Sequence, residues 1–329
     1  MLFSEDIGID LGTTHTRVCV RGKGTVITEP TVAAVDLTSN DSSVTEIGEK
    51  ARDMIGRTPG SLNAVSPIKN GVIADYAVTV QLLRKLIDRS ISASAFKRTR
   101  VMITIPSGTT EVERMAVRMA ARDAGARYVS LVESTLADAL GENLPIDRPF
   151  GTMVADIGGG CTQVAVLALD DIVTSAGVRV GGDDLNAAII EYVRRNFDLL
   201  IGERTAESIK MKIGSAIPYD GEGAVDVRGR SLTDGLPRNI ELTSAQVREA
   251  MAPVTASIID MIRSVTKKTP PELLSDIMSK GIFLTGGTSS LRGLARAIQA
   301  VTKIPVVVSG DPLSSAVLGL EACLERADR

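Results

Sequence analysis

Two β-branched runs with the same layout lie about 150 residues apart. The first is Ile7-Gly8-Ile9-Asp10-Leu11-Gly12-Thr13-Thr14-His15-Thr16-Arg17-Val18. The second is Val154-Ala155-Asp156-Ile157-Gly158-Gly159-Gly160-Cys161-Thr162-Gln163-Val164. Each reads as a strand, a tight Gly/Thr turn and a second strand, which predicts a β-hairpin carrying a carboxylate and exposed N–H groups at its tip. Superposing Asp10 on Asp156 also superposes Gly12 on Gly158 and Thr16 on Thr162. One long-period repeat predicts a duplicated domain, because solenoids repeat every 20 to 50 residues or so.

Between the hairpins, residues 28–63 are rich in Thr, Ser and Asp and read as irregular. A helix is predicted over 76–89, where Val80, Leu83, Leu86 and Ile87 share one face. A strand over 100–105 ends at Pro106, and the next helix opens with a capping box of Thr110 and Glu113 and closes at Gly125. The second half alternates in the same way. Helices are predicted over 184–197 and 204–212, followed by two polar strands over 224–228 and 238–242. A long helix starts at Thr243, with Gln246 completing its capping box, and stops at Pro270-Pro271. A strand over 281–285, the turn Gly286-Gly287-Thr288-Ser289-Ser290, a helix over 291–301 and a strand over 306–308 close the chain as an α/β unit.

The 329 residues are 44% hydrophobic and 23% charged, enough for two domains of about 150 residues each. A formal net charge of -3, with five Phe, four Tyr and no Trp, argues against a nucleic-acid partner. Apolar runs fall short of the roughly 18 residues that span a bilayer, and the start lacks a signal-peptide layout, so a cytoplasmic location is expected. Cys19, Cys161 and Cys323 form no C-x-x-C pair, which predicts reduced thiols and no cysteine zinc site. His15 is the single histidine, which excludes an H-E-x-x-H metal helix and a Ser-His-Asp hydrolase. No P-loop motif occurs, and no G-x-G-x-x-G opens the first helix.

Phosphate binding needs converging N–H donors without obstructing side chains, and a metal needs a carboxylate nearby. Both hairpin tips offer that combination, although D-x-G also makes plain tight turns. His15 is either a tip residue near phosphate or an ordinary polar turn residue. Glu207 and Lys210 share a helix face, as ribose contacts or as a surface salt bridge. Gly286 and Gly287 either admit an adenine against bare backbone or simply end a strand.

The order of D-x-G-T hairpin, D-x-G-G-G hairpin, E-x-x-K helix and L-T-G-G turn resembles the ATPase fold shared by actin, heat-shock chaperone ATPase domains and sugar kinases. More closely, the chain resembles the MreB-like bacterial actins nearly end to end. The stretches Lys69-Asn70-Gly71-Val72-Ile73-Ala74-Asp75-Tyr76, Leu200-Ile201-Gly202-Glu203-Arg204-Thr205-Ala206-Glu207, Gly235-Leu236-Pro237-Arg238 and Thr269-Pro270-Pro271-Glu272-Leu273 carry that likeness. The resemblance implies an α/β, actin-like fold of two similar domains, each with a smaller subdomain, and a nucleotide cleft between them. The domains would span 1–145, with a small subdomain about 30–68, and 146–329, with one about 183–250. It further implies ATP and Mg2+ as cofactors, homopolymer filaments, attachment to the inner face of the cell membrane, and partners among cell-wall synthesis and shape proteins.

Position by position, the resemblance puts Gly12, Thr13, Thr14 and His15 at the first phosphate loop, with Asp10 holding Mg2+ through water. Asp156, Gly158, Gly159 and Gly160 match the second loop. Glu207 and Lys210 match the ribose contacts, and Gly286, Gly287, Thr288 and Ser289 the adenine turn. The hydrolytic positions depart from the family. Where it reads E-E-P, with the second Glu orienting water, this chain has Glu133-Ser134-Thr135. Where it reads G-G-G-T-T-[DE], this chain has Gly158-Gly159-Gly160-Cys161-Thr162-Gln163, and Thr288 replaces the usual third Gly of the adenine turn. Ser cannot act as a carboxylate, so slow hydrolysis with retained binding is expected, with Glu133 a possible substitute after a one-residue shift. Two alternatives stand beside this reading: an accessory paralogue that keeps ATP as a structural ligand, and a monomeric ATPase of the chaperone or sugar-kinase type. Leu2, Phe3 and Phe96 are the expected membrane contacts, supported by nearby Lys97, Arg98 and Arg100.

Overall fold

The computed structural model describes residues 5–38, 43–55, 61–91 and 99–326. The chain opens with a meander of β1 (Asp6–Leu11), β2 (His15–Val20) and β3 (Gly24–Pro30). A small layer follows, made of β4 (Ala33–Asp36), β5 (Val44–Ile47), α1 (Glu49–Met54) and β6 (Leu62–Val65), then the short pair β7 (Ile68–Lys69) and β8 (Val72–Ile73). Helix α2 (Tyr76–Ser90), β9 (Arg100–Ile105), α3 (Glu111–Asp123), β10 (Tyr128–Glu133) and α4 (Ser134–Gly141) complete the first half.

The second half repeats the meander as β11 (Thr152–Ile157), β12 (Thr162–Ala168) and β13 (Asp171–Val178). Its own small layer comprises α5 (Gly182–Phe197), β14 (Leu199–Leu200), α6 (Glu203–Ile213), β15 (Ala224–Ser231) and β16 (Pro237–Thr243). Then come α7 (Ser244–Lys268), α8 (Pro271–Lys280), β17 (Ile282–Thr285), a 3-10 turn over Gly287–Ser290, α9 (Leu294–Thr302), β18 (Val306–Val308) and α10 (Ser315–Arg326).

The two large sheets have one design, with strand orders β10-β9-β1-β2-β3 and β13-β12-β11-β17-β18. In each, the first strand of an antiparallel meander pairs in parallel with a strand that arrives later through a helix. Asp10 lies across from Arg17 and Asp156 across from Gln163, each near the end of its hairpin. Ile7, Ile9, Val18, Ile103 and Leu83 anchor one core, and Met153, Ile157, Val164, Leu284 and Ile262 the other.

Two helices cross between the halves. Helix α4 follows β10 of the first sheet, yet Ala139 packs with Val154, Ala165 and Leu167 of the second. Helix α10 comes from the second half, yet Val317 and Leu320 pack on Cys19 of the first. The two helices also contact one another, so the floor between the sheets is built by elements from both halves.

Several expectations need correction. The described residues within 28–63 are not irregular; they include the last three residues of β3, all of β4 and β5, helix α1 and the start of β6. Their alternation is masked because β3 is half exposed and the other elements are too short for a clear period, so pairing partners stabilise them. The final α/β helix starts at Leu294, not 291, because Gly293 adopts a left-handed conformation at φ 77° and interrupts the turn. Pro270-Pro271 ends α7 as expected, but Pro271 also starts α8, since its missing N–H costs nothing at a first helical position. By contrast, the capping boxes at Thr110/Glu113 and Thr243/Gln246 both form as read.

Candidate functional site

Between the two sheets lies a cleft of about 610 Å³, within the usual size of a small-molecule site. The tips of the two matched hairpins meet at its base. A Cβ added to Gly159 would come within 2.3 Å of Thr14 Cγ2, and one on Gly160 within 2.5 Å of Thr13 Oγ1. Only glycine lets these tips approach so closely. Thr13 Oγ1 accepts the Gly71 N–H at 2.9 Å, and Thr31 Oγ1 donates to the Gly12 carbonyl at 2.8 Å, which fixes the first tip. The N–H groups of Thr13, Thr14, Gly159 and Gly160 donate to no backbone carbonyl among the described residues, so they remain donors at the cleft. Gly158 differs, since its N–H closes the second tip onto the Cys161 carbonyl at 2.9 Å.

Three carboxylates, Asp138 buried and Asp10 and Asp156 partly buried, stand near one another on this floor. Asp10 accepts from Thr104 Oγ1 at 2.8 Å and has Arg17 at 3.9 Å; burial raises its pKa, with Thr104 and Arg17 opposing. Burial and then the Asp10 charge push Asp156 up to about 7. Its partner is Gln163, whose Nε2 donates to Asp156 Oδ2 at 3.4 Å while its Oε1 accepts the Ser107 N–H at 2.7 Å. The third is Asp138, which the motif reading missed. It is 3% exposed, its Oδ2 has no hydrogen-bond partner, and burial followed by Asp156, Asp10 and Glu142 raises its pKa well above the usual carboxylate range. The available signal was an acid between Ala137 and Ala139, two residues that the helix buries completely.

The upper wall is formed by α6 and the Gly286 turn. Lys210 Nζ donates to the Gly182 carbonyl at 2.9 Å instead of closing a surface ion pair with Glu207, and burial lowers its pKa. Gly286 sits at φ 79°, with Asp156 Oδ1 only 2.3 Å from where a Cβ would stand. Thr288 Oγ1 donates to the Gly158 carbonyl at 2.8 Å, tying this turn to the second hairpin tip. Ser289 is buried and donates to the Gly286 carbonyl at 2.6 Å; Ser290, not Ser289, lines the cleft.

The remaining expected residues divide. His15 lines the cleft, and burial with the charges of Arg17 and Arg52 lowers its pKa, which keeps the imidazole neutral at pH 7. Ser134 also lines it, its hydroxyl donating to the Ile105 carbonyl at 3.2 Å. Glu133 does not line the cleft, because it ends β10 and its Oε1 accepts from Arg114 at 3.0 Å; neighbouring side chains at the strand-to-helix junction point apart. Cys161 lines the cleft as a thiol pushed up to about 12 by burial and then by Asp156, so it is no nucleophile. Leu2, Phe3 and Phe96 lie outside the described residues.

The arrangement suits a polyanion carried with a cation. The unspent N–H groups at the two tips suit the anion, and the acidic floor beside them suits the cation. Oxygen donors of this kind are the ligand type of a hard divalent ion that keeps several of its waters.

A family model described as MreB/Mbl protein matches residues 4–329. The cell shape-determining protein MreB of Escherichia coli (strain K12) is 45% identical over 331 positions, covering 99% of this chain and 95% of that protein. The cell shape-determining protein Mbl of Bacillus subtilis (strain 168) is 40% identical, covering 100% and 98% respectively. Among solved structures, MreB5 of Spiroplasma citri bound to AMPPNP is similar at a TM-score of 0.92 and 32% identity, covering 99% of this chain and 97% of that one. The MamK double helical filament shares the fold at a TM-score of 0.82 and 18% identity, covering 98% and 99%. Among the described residues, no helix is long and apolar enough to cross a membrane.

Proposed function

The chain belongs to the MreB/Mbl family and has the actin-like ATPase fold of two α/β domains, and on that footing we propose that it is a cytoskeletal cell-shape protein that binds ATP and assembles into filaments. The observation that carries the nucleotide reading is the close approach of the two hairpin tips, Thr13-Thr14 against Gly159-Gly160, with unspent N–H donors facing a cleft of nucleotide size. Relatives support it: the MreB5 structures hold AMPPNP and ADP.

In this reading Gly12, Thr13, Thr14, His15 and Gly158 to Gly160 surround the phosphates, with His15 neutral. Glu207 and Lys210 meet the ribose, and Gly286, Gly287 and Thr288 the base, with Ser289 supporting that turn from beneath. Asp10 and Asp156 hold Mg2+ through water; bound there, the ion supplies charge neutralisation and phosphate orientation. The domains divide near residue 145, with small subdomains about 30–68 and 183–250.

Hydrolysis is slow in this proposal. Ser134 has no carboxylate to order water, its hydroxyl is already engaged with Ile105, and Glu133 is held by Arg114. Losing a positioned acid or base typically costs 10²-fold or more. The filament binds the inner membrane surface through Leu2, Phe3 and Phe96, each contact weak and multiplied by polymerisation, and works with shape and cell-wall synthesis proteins. The MamK filament supports self-association as a property of the fold.

The test is phosphate release and sedimentation on one sample with ATP and Mg2+, followed by pelleting with anionic liposomes. Nucleotide-dependent polymer with slow release supports the reading. Polymer with no release at all favours ATP as a purely structural ligand, the reading that Ser134 also favours. Absence of both polymer and ATP binding overturns the proposal.

A further inference from the structure

Asp138 has no evident place in folding. Helix α4 carries it between Ala137 and Ala139, both fully buried, and its carboxylate is 3% exposed with Oδ2 unpartnered. A buried carboxylate without a partner is costly, and an apolar or small residue would pack α4 with less penalty. Its side chain nevertheless lines the cleft together with Asp10 and Asp156, and both of these raise its proton affinity. The cations nearest this floor do not resolve the excess. Arg17 faces Asp10 at 3.9 Å, and Lys210 turns to the Gly182 carbonyl on the opposite wall.

We propose that Asp138 is a third acidic anchor of the cation site, accepting a hydrogen bond from a water of a hydrated divalent ion that Asp10 and Asp156 hold from the other sides. This rests on the nucleotide-binding reading and deepens it. It assigns to this chain a cation site more acidic by one charge than its two matched hairpins supply. A small hydrated ion keeps several waters and spreads its charge over second-layer carboxylates in this manner.

The consequence concerns how strongly nucleotide binding depends on the ion. Three carboxylates attract the cation together, and one fewer weakens that attraction without touching the sites that face the nucleotide itself. Isothermal titration calorimetry with ATP, at graded Mg2+ and separately in EDTA, reads both effects on the full chain. The expected result is that Asp138→Asn raises the Mg2+ concentration for half-maximal ATP binding at least about tenfold, the smallest effect that one charge a few ångströms from a divalent ion has even in a water-like dielectric. In EDTA the same variant binds ATP as the parent does. Asp138→Ala gives the same pair of results and serves where Asn does not fold.

An unchanged Mg2+ midpoint, or a parallel loss of binding with and without Mg2+, overturns the inference and assigns Asp138 a structural role. Failure of the parent itself to bind ATP under either condition overturns the nucleotide reading, and this inference with it.

Discussion

Ser134 and Asp138 stand one helical turn apart on α4, and both line the cleft. Position 134 presents a hydroxyl already donated to Ile105, while position 138 presents a carboxylate with an unpartnered oxygen. The wall therefore carries its negative charge one turn further along α4, toward Glu142.

Restoring an acid at the first of these positions should restore chemistry. Ser134→Glu is expected to raise the rate of phosphate release about tenfold or more without strengthening ATP binding. Single-turnover phosphate release beside calorimetry separates the two quantities. A rate equal to the parent's would mean that another group orders the water.

Gln163 shields Asp156. Its amide donates to Asp156 and accepts from Ser107, a pairing that a carboxylate cannot reproduce. Gln163→Glu should therefore destabilise the protein by about 1–3 kcal/mol, as an unmatched buried polar pair does. Urea unfolding at pH 7.5 measures this, and acidification toward pH 6 should recover part of the loss as the carboxyl pair takes up a proton.

Proton linkage predicts the pH response of the cation-free protein. Asp156 titrates near 7 and Asp138 is raised well above its ordinary value, so the folded state holds protons that the unfolded chain has released. Their contribution is complete below the ordinary carboxylate range and is lost as pH rises through the folded pKa. His15 acts oppositely, but only below its ordinary value of 6.5. In EDTA, the melting temperature should consequently fall between pH 6.5 and 8, and Mg2+ with ATP should flatten the slope. A melting temperature that rises over that interval would contradict the assignment.

The Gly286 turn lines the cleft and packs against the Asp156 carboxylate. Gly286→Ala imposes a left-handed conformation on an L-residue, worth about 1–3 kcal/mol, and drives its Cβ into Asp156 Oδ1. Thr288→Gly is the milder counterpart, removing only the tie to Gly158. Thermal melts with ATP titrations should show both properties weakened, more severely at 286 than at 288.

The hairpin pair, the capping boxes and the E-x-x-K helix were legible because each is a local device whose residues lie within a few positions of one another. Residues 28–63 were not, because short half-exposed strands are stabilised by partners distant in sequence. Glu133 and Ser134 are adjacent in the chain, and only the turn from β10 into α4 separates a carboxylate bound to Arg114 from a hydroxyl in the cleft.

By itself the sequence determined the duplication, the two glycine-rich hairpin tips and the family, since backbone turns of that kind need particular residues at particular spacings. Tertiary structure alone decided what those tips face. The exchange of α4 and α10 between the halves places Asp138 beside Asp10 of the first sheet as well as Asp156 of the second. Electrostatic repulsion depends on distance in space, so an acid that looks incidental between two alanines becomes part of a charged floor only when both sheets are assembled around it.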